Sequence, residues 1–157
     1  MVELAVKKAV TVQAPVAEAF KVFTEGIDRW WLRTHKIGVA ALARVVLEDH
    51  VGGRWYEVDE DETECDWGRV LEWDPPHRLA MAWQIDANMR FDPDLVTKLE
   101  VRFTPAGSDR TRVDLAHRDL DRFGEAEAQI RMGFESPSGW QAILNAFAEA
   151  AGQGRRK

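Results

Sequence analysis

Cysteine, tyrosine and histidine are scarce in this chain: 157 residues hold one, one and four of them. A lone Cys65 excludes an internal disulfide and points to a reducing, cytoplasmic setting. No His-x-x-x-His or Cys-x-x-Cys pair occurs, so neither a metal nor another cofactor is expected. Gly-x-Ser-x-Gly and the phosphate-binding glycine loops are also missing. Gly52-Gly53 reads as a turn. No apolar run approaches the ~20 residues of a membrane span. The opening residues lack the basic-then-apolar pattern of a secretory signal. Acidic residues outnumber basic ones, giving a net charge of −6, the wrong sign for a nucleic-acid partner.

What the chain has in quantity is tryptophan, seven of them. A tryptophan needs a large apolar site and a partner for its N–H. Three lie within Val51–Leu79, among a Gly-Gly turn, an acidic tip and a Pro-Pro break. Aromatic volume on this scale suggests a lined interior cavity.

Hydrophobic periodicity supplies the elements. Leu4–Gln13 alternates as a strand, and Ala14-Pro15 ends it. Val16, Ala19, Phe20 and Phe23 recur at helical spacing, so Pro15–Thr24 is expected to be a helix, with a second short helix over Ile27–Leu32. Strands follow near Arg44–His50, Arg54–Asp59, Glu64–Trp73, Arg78–Ile85, Val96–Pro105 and Arg110–His117. Short turns join them, which favours antiparallel neighbours. Alternation puts Leu79, Met81, Trp83 and Ile85 on one face with Arg78 and Gln84 opposite, and Leu99, Val101 and Phe103 on one face with Lys98, Glu100 and Arg102 opposite, so one face of the sheet is expected to be wet and the other covered. A short helix is expected over Glu125–Met132. Ser136 then reads as the N-cap of a long helix running to about Ala151, with Trp140, Ile143, Leu144 and Phe147 facing inward. The expectation is an α+β domain over residues 1–151 and a disordered basic tail at 152–157.

The ordered motifs carry a family resemblance. Ala14-Pro15 opening a Phe-bearing helix, then Trp30-Trp31, is similar to the start of an SRPBCC (START-like) domain. Gly52-Gly53-Arg54-Trp55, then Gly68-Arg69-Val70 and Asp74-Pro75-Pro76-His77-Arg78-Leu79, resembles the branch named for the activator of heat-shock-protein-90 ATPase. Thr97–Pro105, Thr111–His117 and Gly139-Trp140 with Leu144 continue it. This implies a helix-grip fold: a curved antiparallel sheet of six to seven strands wrapped around the C-terminal helix, with two short helices after strand 1. The superfamily includes lipid and hormone carriers, aromatase/cyclases and co-chaperone domains, so the fold alone does not decide the function.

The residues offer these site candidates. Trp30, Trp55, Trp83, Phe103 and Trp140 are expected to wall a cavity between sheet and helix. Glu57 shares a face with Trp55, and burial among tryptophans would make it an acid, a base or a ligand anchor. The competing reading is a tip glutamate, or one held by Arg69. One β-bulge would turn it outward. His117 falls on the inward parity of Val113 and Leu115, either as a ligand donor or as a satisfied core histidine. Arg33 and His35 follow the tryptophan pair in a loop that reads either as a gate for an anionic head group or as a solvated loop. Trp73 reads as structural, Cys65 as a small buried hydrophobe, and Asp59–Glu64 as a hydrated hairpin tip.

Three functions follow. The first is binding of a hydrophobic, aromatic small molecule, by a monomer or homodimer. The second is a cyclase- or hydrolase-like enzyme on the same cavity, using Glu57 or His117. The third is a co-chaperone-like module that stimulates an ATPase of a protein partner.

Overall fold

Strand β1 (Val6–Val12) begins the sheet, and its burial pattern puts Val6 and Val12 in the core. A computed structural model describes residues 5–153. Leu4 and the tail from residue 154 onward lie outside the described residues, while Gly152 and Gln153 continue the last helix. After β1 come α1 (Val16–Thr24) and the one-turn α2 (Ile27–Trp30). Six strands follow: β2 (Leu42–Leu47), β3 (Arg54–Asp59), β4 (Glu64–Asp74), β5 (Arg78–Trp83), β6 (Thr97–Gly107) and β7 (Arg110–Arg118). A 3-10 turn over Leu120–Ala126 leads into α3 (Glu127–Glu135), and α4 (Trp140–Gln153) closes the chain.

The strands form one seven-stranded sheet in the order β1-β7-β6-β5-β4-β3-β2, with every pair antiparallel. It curls around α4 as a helix-grip fold. Trp140, Ile143, Leu144, Phe147 and Ala151 are buried and recur at one-face helical spacing, so α4 lies on the inner face of the sheet. Phe20 and Phe23 of α1 meet Phe103 of β6 at ring-centroid distances of 5.2 and 5.6 Å, and Phe23 reaches Phe147 of α4 at 5.1 Å. This phenylalanine cluster fills one end of the grip.

Two expectations need correction. Ser136 does not cap α4. Its hydroxyl donates to the Gly133 carbonyl and so closes the end of α3, while Ala142 N–H and Ile143 N–H bond Gly139, where α4 begins. The outer face of β5 is not wet either. Ala80 and Ala82 are buried because they sit between Glu72, Glu100 and Lys98 of the adjacent strands. The Arg78–Glu72, Arg78–Glu100 and Lys98–Glu72 ion pairs bridge those strands and shelter the small side chains.

Gly68 makes this packing possible. A Cβ there would lie 1.6 Å from the Ala82 carbonyl oxygen, which is backbone and cannot swing aside. Gly68→Ala is therefore expected to cost more than about 2 kcal/mol in urea unfolding. A variant within about 0.5 kcal/mol of the parent would contradict this close approach.

Candidate functional site

The second aromatic cluster does not fill its end of the grip. Trp31 packs on Trp55, Trp67 and Trp140, and Trp83 packs on Trp55, Trp140 and Phe134, at ring-centroid distances of 5.1–6.4 Å. Beside these rings lies a cavity of about 380 Å³. Its walls are Trp31, Trp67, Trp83, Ile85, Trp140 and Ile143, with Ile130 and Phe134 of α3 on the far side. Helix α3 buries no residue fully, so its apolar side faces this space. Thr34, His35, Lys36, Gln129 and Ser138 bring polar groups to the edge.

The loop after α2 forms one rim and is fixed at several points. Trp31 Nε1 donates to the His35 carbonyl at 2.8 Å. His35 Nε2 bonds the Ser138 carbonyl at 2.7 Å, tying this loop to the turn before α4. Lys36 Nζ donates to the Gly38 carbonyl. The strongest hold comes from Glu57, whose oxygens accept the Ile37 N–H at 2.6 Å, the Gly38 N–H at 3.2 Å and the Trp67 indole N–H at 2.9 Å.

Glu57 is fully buried. The register slips at Trp55/Tyr56, yet both Trp55 and Glu57 face inward. Burial pushes its pKa up, but Asp59 and the three N–H donors outweigh that and hold it below the usual glutamate range. Asp59 belongs to the same cluster rather than to a hydrated tip, being only 2 % exposed. Burial, then the hydrogen bond and charge of Glu57, push its pKa up to about 6, with Lys36 opposing. The loop must come close here: a Cβ on Gly38 would lie 1.7 Å from Asp59 Oδ2. Arg69 does not hold Glu57; it pairs in register with Arg54 and is exposed. Cys65 is half-buried.

His117 is also fully buried, and its bonds fix its tautomer. Trp140 Nε1 can only donate, so the contact at 3.2 Å makes His117 Nδ1 an acceptor. Nε2 then carries the hydrogen and donates to Thr97 Oγ1 at 2.8 Å, whose hydroxyl donates to the Trp83 carbonyl at 2.9 Å. The ring stacks on Phe134 at 4.6 Å. Burial lowers its pKa to about 3, so the imidazole is neutral and serves to orient Trp140.

Of the residues expected at the site, Trp83 and Trp140 line the cavity and His35 reaches its edge. The others sit elsewhere. Trp30 donates to the Val22 carbonyl and packs on Phe23 and Phe147. Phe103 lies in the phenylalanine cluster. Trp55 stands behind Trp31, Trp67 and Trp83. Glu57 and His117 are one layer behind the wall. Arg33 turns away to Asp28, which it grips at 3.0 Å through the carboxylate and 2.6 Å through the carbonyl. The wall residues missed include Trp31, Trp67, Ile85, Ile143 and, on α3, Ile130 and Phe134. The i, i+4 spacing of Ile130 and Phe134 was the available signal for the α3 wall.

The family described as Activator of Hsp90 ATPase homolog 1-like protein matches residues 13–152. The chain belongs to this family. Among solved structures, it is 44% identical to an anthrahydroquino-γ-pyrone synthase, Txn09, covering 94% of this chain and 97% of that one, with a TM-score of 0.67. It is 36% identical to CalC, a self-sacrificing resistance protein from Micromonospora echinospora, over 98% and 97% of the two chains, with a TM-score of 0.71. The NE0264 protein of Nitrosomonas europaea shares the fold, with a TM-score of 0.70 at 20% identity over 100% and 99% of the chains. No curated protein matches the chain.

The buried histidine gives this family member a pH signature. Below about 6.5 an unfolded histidine takes a proton that folded His117 refuses until about 3. Its contribution to stability is therefore complete above that upper value and is lost as pH falls through the window. Urea unfolding between pH 6 and 4 should show His117→Gln with a shallower loss of stability, by up to about 1.4 kcal/mol per pH unit. Parallel pH profiles for parent and variant would show that His117 is not held neutral.

Proposed function

We propose that this protein binds a flat, polycyclic aromatic molecule in the cavity between the sheet, α3 and α4. The observation that carries the reading is the cavity itself. Its volume lies at the lower end of the ~300–1,000 Å³ common for ligand pockets. Its wall is indole, phenyl and aliphatic carbon, with few polar groups among the lining residues. Offset and edge contacts with aromatic faces are the natural way to hold fused rings. The Txn09 relative, described as an anthrahydroquino-γ-pyrone synthase, supports the same ligand class.

A second reading, a synthase- or cyclase-like enzyme, is favoured by that same 44% identity. Here the acid–base work would not fall to Glu57 or His117, since both lie behind the wall with their polar atoms engaged. His35 and Lys36 are the ionisable side chains that reach the cavity. Shape would do the rest, by holding a flexible substrate folded and dry.

Tryptophan fluorescence titration with anthraquinones, steroid acids and fatty acids tests binding. Anthraquinones should quench saturably and the other classes should not. Trp140→Ala should weaken binding at least about tenfold, the loss of one good aromatic contact with its buried area. Trp73→Ala, which removes a ring packed on Phe20 away from the cavity, should change it less than about twofold. Equal effects in two folded variants would remove the cavity assignment.

A further inference from the structure

Outside the cavity, one cluster of side chains has an unmet need. Glu57 and Asp59 lie two residues apart on β3, and Cys65 of β4 stands directly opposite Glu57. The period of a strand therefore puts all three on one face. One carboxylate oxygen from each acid and the cysteine sulfur all lie within 4.8 Å of one another. Asp59 is 2 % exposed, and neither of its oxygens receives a hydrogen bond from a protein donor. Its neighbour Glu57 is in the opposite condition, with its oxygens engaged by three N–H groups.

Burial of a carboxylate with no donor is unfavourable by several kcal/mol unless a positive partner arrives. A proton shared with Glu57 supplies one oxygen of Asp59 and leaves the other bare. Lys36 acts on both Asp59 and Cys65 as a positive charge, though its ammonium is bonded to the Gly38 carbonyl. Asp61, the other charged group bearing on the cluster, adds only negative potential.

From this geometry we infer that Glu57, Asp59 and Cys65 form a site for one borderline divalent metal ion of the zinc or cobalt type. Bonds of about 2.0–2.3 Å to oxygen and sulfur let a single ion reach all three donors after small rotations of Asp59 and Cys65. Two carboxylates with one thiolate select zinc-like ions over calcium and magnesium, which want oxygen alone and more of it. A dication with the Lys36 ammonium offsets the three negative ligands, leaving Asp61 as the one further negative charge named here. Half-buried Cys65 gives an ion a route from solvent to the cluster. The spacing escapes motif reading because the donors come from two strands. This inference is independent of the cavity ligand.

The test uses tag-free protein stripped of metal by chelation. Titration with Co²⁺ should produce a near-ultraviolet thiolate-to-cobalt charge-transfer band that saturates at one equivalent, and Zn²⁺ should displace it. Cys65→Ser should abolish the band. Asp59→Asn should weaken Zn²⁺ binding at least about tenfold while the protein stays folded, since it removes a ligand outright and even outer-shell losses reach that size. Absence of saturable Zn²⁺ binding at micromolar metal would overturn the site. So would a band that persists in Cys65→Ser, or displacement of cobalt by Ca²⁺ as readily as by Zn²⁺. A rise in melting temperature for Asp59→Asn in a protein that binds no metal would assign the cluster to a shared proton alone.

Discussion

The Glu57 carboxylate is the constraint around which the site is arranged. An ionised group this deeply buried survives only if donors surround it. Here three donors come from two places in the sequence: two successive amides of the loop after α2 and the indole of Trp67 on β4. One side chain on β3 therefore fixes a loop and a ring at once. That loop carries His35 and Lys36 to the cavity rim, and Trp67 forms part of the wall. Gly38 lets the backbone come down onto the acids, because any larger residue would collide with Asp59. Through His35 the same loop reaches the turn before α4, so the rim is one connected structure.

The two aromatic clusters divide the interior by purpose. Phe20, Phe23, Phe103 and Phe147 interlock at ring-centroid distances of 5.1–6.5 Å. The tryptophans cannot close their end in the same way. Trp140 is pinned by His117, and Trp31 and Trp67 are pinned through their N–H groups. Rings held by hydrogen bonds cannot slide to fill a gap, and α3 bridges the gap instead of plugging it. The cavity is what remains when indole orientation is set by polar partners rather than by packing alone.

The succession of elements, the antiparallel neighbours, the inward parity and the helical cover were legible in the sequence, because period-2 and period-3.6 patterns and short turns are local. The family motifs agreed with them, and the match over residues 13–152 bears that out. Depth was not legible. Trp55 and Trp83 have the same parity class, yet one stands behind the other, since curl of the sheet decides which ring meets open space. Arg33 reads as facing a ligand's head group and is instead tied to Asp28; a five-residue separation gives no hint of that contact. Asp59 read as part of an exposed tip because acidic runs are usually solvated, while its burial depends on a loop some twenty residues away. Ser136 failed as an N-cap because the chain spends it closing α3, which is a choice between two adjacent helix ends that composition cannot make.

The claim that one carboxylate organises the rim is most directly tested by amide hydrogen exchange. Residue-resolved exchange of the metal-free protein should be compared with that of Glu57→Gln. An amide side chain keeps the shape but loses the charge and turns an acceptor into a donor. The account predicts that Ile37 and Gly38 lose protection by at least about tenfold, through local opening of the loop, while the amides of α4 and β6 are unchanged. Unaltered protection at Ile37 and Gly38 in a folded variant would contradict it.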